Sequence, residues 1–248
     1  MAKQAKTDRQ AVIEQLRTQQ KSAERRRGMA IVGVCVVVAV LIIGLAAYRP
    51  VKNWWDLRQF RNVDIAKIGA PASVCGKETT KKATGNQQHV PDGQPIVYPD
   101  SPPAFGEHYG TPDPMTRKLY TEGDRPELGT LVHNLEHGYT ILWYDQTVAD
   151  DSEQMNELRG IADKFAGTSN FRFKFKAVPW LDSDGKAFPD GQHISFTHWS
   201  AGGADVAGSG DTSKQVGVWQ YCSAVSGAAL NDFMLKYPYL DSPEPNSM

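Results

Sequence analysis

The chain has 248 residues, a formal net charge of -1, 22% charged and 40% hydrophobic residues, an ordinary globular balance with length for one sizeable core. No basic excess or aromatic-basic interleaving stands outside the N-terminus, which excludes nucleic acid as an expected partner.

Residues 1–28 form a polar, basic tail rich in Gln, Lys and Arg, with Val12, Ile13 and Leu16 as a short apolar stripe at helical spacing. This reads as a solvated helix or a disordered tail, or as a stripe that docks on a cytoplasmic partner. Residues 29–48, M-A-I-V-G-V-C-V-V-V-A-V-L-I-I-G-L-A-A-Y, carry no charge. About twenty apolar residues at 1.5 Å each span a hydrocarbon core of roughly 30 Å, so a transmembrane helix is expected. Lys3, Lys6, Arg9, Arg17, Lys21, Arg25, Arg26 and Arg27 precede it, and fewer basic residues follow, which predicts a cytoplasmic N-terminus and an extracytoplasmic remainder. The long apolar run and the lack of an A-x-A site favour an uncleaved signal anchor in the cell membrane over a signal peptide. Cys35 lies inside the run and Cys75 well beyond it, each after a Val, so neither predicts a lipid anchor.

Residues 49–70 read as a juxtamembrane connector, and 71–248 as the extracytoplasmic domain. Cys75 and Cys222 are the two cysteines outside the apolar run, and an even pair in an oxidising compartment predicts a disulfide. Residues 71–130 are dense in Pro, Gly, Thr and Asp; so long an irregular segment wraps a core or builds a site.

Regular structure is expected afterwards. Residues 139–144 form an apolar run suited to a strand buried on both faces. Asp150, Asp151 and Ser152 supply caps for a helix with Met155, Leu158, Ile161, Ala162 and Phe165 on one face, ending at Gly167. Phe171, Phe173 and Phe175 alternate with Arg172, Lys174 and Lys176, which predicts a strand with one dry and one wet face in an antiparallel arrangement. Strands are also expected around 194–199 and 216–222. A last helix follows Ser226, carries Ala229, Leu230, Phe233, Met234 and Tyr237, and stops at Pro238. The order predicts an α+β domain, mostly an antiparallel sheet with helices on one face.

The stretch L-V-H-N-L-E-H-G, 131–138, holds the chemistry-bearing residues. His133 and His137 share a face if these residues are helical, with Gly138 as the left-handed stop. Imidazole is the commonest nitrogen ligand for zinc or copper. Glu136 projects off the edge of that face as a ligand, a histidine partner or a base. H-x-x-E-H also matches the inverted zinc-peptidase signature, whose glutamate activates metal-bound water. The early stop at Gly138 and the lack of a downstream carboxylate helix count against that chemistry. Two histidines cannot close a four-coordinate site, and His89 and His108 lie in the irregular segment that can bring them in, with Glu107 beside the latter. His198 projects from a strand. Packed, hydrogen-bonded histidines are the plainer alternative.

The P-P-x-x-G-x-H-Y of 102–109, H-N-L-E-H-G of 133–138, H-V at 89–90 and S-P-E-P of 242–245 resemble the actinobacterial, membrane-anchored family called domain of unknown function 3105. The family's first motif usually reads P-P-T-S-G-x-H; here Ala104 and Phe105 stand in place of Thr and Ser. His89, His108, His133 and His137 match its histidine positions, so the resemblance implies a shared site without naming a reaction. The expectation is a single-pass, extracytoplasmic protein binding zinc or copper through these four histidines. Its role would be metal handling or support of an envelope complex, with turnover not expected. Two alternatives stand beside it: an accessory subunit of a membrane, for instance respiratory, complex with structural histidines, and a zinc hydrolase using Glu136.

Overall fold

The computed structural model describes residues 2–209 and 211–247 and divides into two units, one up to Asp56 and one from Leu57 onward. Helix α1, Ala2–Arg58, runs continuously through Pro50. It is the one helix among the described residues long and apolar enough to cross a membrane. Val36, Leu41, Ile43 and Leu45 are all exposed, so its apolar run is dry-seeking on every side, as a helix surrounded by hydrocarbon would be. The stretch read as a connector from 49 thus begins as helix. From Leu57 it belongs to the second unit, where the Phe60 ring covers Gly160 and Ile68 is buried.

The second unit is α+β. A five-stranded sheet has the order β1 (Thr79–Lys82), β7 (Val216–Cys222), β6 (Ile194–Ser200), β4 (Thr140–Tyr144), β5 (Phe175–Pro179). Pairings β1–β7, β7–β6 and β6–β4 are antiparallel; β4–β5 is parallel, Thr140 opposite Phe175. Helices α3 (Gln146–Asp150) and α4 (Ser152–Lys164) bridge β4 and β5, the crossover that a parallel pair requires. Helix α4 starts at Asp151, whose carboxylate accepts the Glu153 and Gln154 N–H groups, and α5 (Gly227–Lys236) starts at Ser226.

Side chains alternate across the sheet. Leu142, Phe175 and Phe196 meet Leu158 and Ile161 of α4 and Leu230 and Phe233 of α5 on one face. Ile141, Trp143 and Trp199 meet Leu131, Val132 and Leu135 of α2 (Leu128–Glu136) on the other, where the irregular segment adds Phe105 and Met115. Each such fully buried side chain contributes roughly 1.5–3 kcal/mol relative to exposure. Cys75 and Cys222 form the expected disulfide, joining the chain before β1 to the end of β7.

Two expectations are corrected. The alternating 171–176 stretch is not a half-wet antiparallel strand: Phe171–Phe173 is a 3-10 turn, β5 begins at Phe175, and Lys174 and Lys176 are buried. Lys176 Nζ reaches the Asp113 carboxylate and the Pro114 carbonyl, and Lys118 Nζ donates to Phe173 O at 2.7 Å. A lysine stem is apolar, and its ammonium can be buried where such acceptors meet it, so lysine alternation did not mark a solvated face. Strand β1, T-T-K-K, fell within the segment read as irregular because it lacks any apolar alternation; its residues are exposed, and it joins the sheet by pairing with β7.

Candidate metal centre

Helix α2 delivers half of the site. Its apolar residues fix one face against the sheet, while the last turn presents His133 and Glu136 and the C-cap presents His137. His137 N–H donates to His133 O, Gly138 follows at φ +87°, and the chain turns directly into β4. The two imidazoles therefore stand one turn apart, with Nε2 atoms 2.9 Å from each other.

The irregular segment delivers the other half through a two-stranded parallel ribbon, β2 (His89–Val90) and β3 (His108–Tyr109), which pairs His89 with His108. Gly129 lets this ribbon lie against α2, since a Cβ there would sit 2.8 Å from the Tyr109 ring. The His89 ring stacks on His133 with centroids 4.7 Å apart, and those of His108 and His133 are 5.0 Å apart. Ligating atoms of His89, His108 and His133 lie within 4.8 Å of one another, and those of His133, Glu136 and His137 do so as well. Four of the six histidines of the chain thus converge from segments nearly fifty residues apart.

Two rings are fixed by the backbone. His133 Nδ1 lies 2.6 Å from Tyr109 O and His108 Nδ1 lies 2.8 Å from Gly106 O. A carbonyl can only accept, so each Nδ1 carries a proton, and Nε2 faces the cluster, where it holds the lone pair whenever the ring is neutral. Glu136 Oε2 lies 2.9 Å from His108 Nε2 and 3.8 Å from His89 Nε2. The first contact is close but out of hydrogen-bond alignment, and both atoms are buried without a hydrogen bond.

The charges follow from these contacts. Burial pulls the His108 pKa down, but the Glu136 carboxylate and the Gly106 carbonyl outweigh it and leave it above the ordinary value. His133 is held below that value by burial and by its histidine neighbours, against the pull of Tyr109 O. Burial would raise the Glu136 carboxyl, yet His108, His133 and His89 hold it below the usual carboxylate range. The site is thus an ionised carboxylate among imidazoles, with His89 as its exposed member.

His198 is not brought in. It is buried on β6 with Nδ1 3.3 Å from Tyr139 O and Nε2 2.6 Å from Asp241 O. Glu107, next to His108, instead accepts from Asn86 Nδ2. Sequence reasoning did not assign Glu244, whose carboxylate lies 3.6 Å from His137 Nε2. Its only signal was the S-P-E-P motif.

A family model described as Protein of unknown function (DUF3105) matches residues 89–247, from the first histidine of the cluster to the segment beyond Glu244. No curated protein and no solved structure matches the chain.

Proposed function

The chain belongs to the DUF3105 family, and from that premise we propose that it is a membrane-anchored, extracytoplasmic protein that binds a zinc or copper ion through His89, His108, His133 and His137. The observation that carries this reading is the pair of tethered rings. Tyr109 O and Gly106 O each take an Nδ1 proton, turning two Nε2 lone pairs toward the same cluster. Backbone-tethered imidazoles are the usual support of metal-ligating histidines, because the tether fixes tautomer and orientation at once. Glu136 sits among the rings as a carboxylate that balances their charge, 2.9 Å from His108 Nε2, which leaves it poorly placed as a free base for hydrolysis. The ion would satisfy the buried His108 Nε2 and Glu136 Oε2 together.

The anchor is α1. The basic residues before its apolar run favour an inside N-terminus, and the Cys75–Cys222 disulfide suits an oxidising compartment for the second unit. The role is metal handling or metal-dependent support of an envelope assembly.

The test is metal analysis of the full chain purified in mild detergent, followed by chelation and readdition of zinc or copper. About one ion per chain and a melting transition that falls on chelation and recovers on readdition are expected. A chain that holds no ion and melts identically with and without either metal sinks the reading.

A further inference from the structure

We propose that Glu244 is a further donor to this site, carried on a C-terminal strap, residues 241–247, that Lys174 clamps against the end of α2. The proposal rests on the metal-binding reading above and adds a carboxylate and the device that places it.

The strap is held at both ends. At its start, the Asp241 carboxylate accepts Ser200 Oγ at 2.7 Å and Gly203 N–H at 2.8 Å. At its end, Lys174 Nζ donates to Pro245 O at 2.8 Å and Ser247 O at 2.7 Å. The third ammonium proton goes to His137 O at 2.7 Å. One buried cation thus ties the strap directly to the residue whose imidazole enters the site. Between these ties, Glu244 N–H donates to Glu136 O at 3.0 Å, joining Glu244 to the other site residue of that turn.

The cost of this arrangement argues that placement matters. Lys174 is 1% exposed, and burying an ammonium is unfavourable unless its protons are all met. A segment that leaves the packed core stays poorly ordered unless it is tied down, and Lys174 supplies the tie here. What the clamp secures is the Glu244 carboxylate, half-exposed and 3.6 Å from His137 Nε2. That is long for a hydrogen bond, yet close to the roughly 3–3.5 Å between two donors that each stand about 2.0–2.2 Å from a shared ion. Gly138 permits the approach, since a Cβ there would lie 2.3 Å from Tyr239 O, just before the strap.

The experiment uses the full chain in mild detergent, stripped of metal, with zinc titrated against a chromophoric chelator and cobalt followed by its visible spectrum. Glu244→Gln is expected to weaken zinc about 10-fold and to alter the cobalt spectrum, with the metal-free melting temperature unchanged because this side chain is half-exposed. Lys174→Met is expected to weaken zinc similarly, and the double variant no more than either single one. Should Lys174→Met fail to fold, Glu244→Asp provides the second variant, with an intermediate affinity expected. Wild-type affinity and an unchanged spectrum in Glu244→Gln overturn the donor role while the metal-binding reading survives. A folded Lys174→Met with wild-type affinity overturns the clamp. A wild-type chain that binds neither metal overturns both readings.

Discussion

His108 and His198 are both fully buried histidines, yet they stand in opposite chemical positions. His198 has a carbonyl at each nitrogen, Tyr139 O and Asp241 O, so its ring is used up in joining β6 to the strap. His108 has one nitrogen on Gly106 O and the other facing His89, His133 and Glu136 without a hydrogen bond. Burial therefore does not distinguish a histidine spent on the fold from one with a nitrogen turned into the cluster; the partner of the second nitrogen does.

Removing each kind of ring in turn separates the two roles. His133→Ala removes the tethered ring common to both donor groups and is expected to lower zinc affinity at least 100-fold in chelator competition, whereas His198→Leu should leave it within a few-fold. A comparable loss in both variants would end the distinction. His198→Leu should instead lower stability by about 2 kcal/mol, read as a shift in urea midpoint without metal, because the buried Asp241 carbonyl, 2.6 Å from Nε2, loses its donor.

Gly129→Ala sharpens it further. A methyl group 2.8 Å from the Tyr109 ring should push β3 off α2, costing about 1–2 kcal/mol and weakening zinc several-fold, because the Tyr109 carbonyl that tethers His133 moves too.

The smallest effect concerns a buried cation outside the cluster. Burial, helped by Lys176, brings the Lys118 pKa down to about 8. Between about pH 8 and the ordinary lysine range near 10.4 the unfolded chain binds more protons, so this group makes stability rise with pH across that window. Lys118→Met should reduce the slope of stability against pH between 8 and 10, a change on the order of 1 kcal/mol in urea melts.

Much of the site was legible. His133 and His137 at i and i+4 before a glycine required only helical periodicity, and Gly138 at φ +87° closes the helix where expected. His89 and His108 were recoverable as candidates because histidines are few and the segment carrying them was too long to be idle. Their meeting was not legible, since a two-residue parallel ribbon has no sequence period to read. Nor were the carbonyls of Gly106 and Tyr109, because backbone acceptors are the same in every residue. Lys174 misled for the opposite reason: as one of an alternating set it looked solvated, and only the carbonyls folded over it make its burial tolerable.

Local and periodic features could be read from the residues alone: one apolar run long enough for a bilayer, the helix faces of α4 and α5, the caps at Asp151 and Ser226, and the paired cysteines. Each follows from a few neighbouring residues and a fixed repeat, or from composition. Tertiary structure alone decided that β5 runs parallel to β4, that His198 is consumed while His108 is not, and that Glu244 returns beside Glu136. Those outcomes depend on where distant backbone carbonyls and amides come to rest, and the free energy of such contacts is set by the packing of the whole sheet.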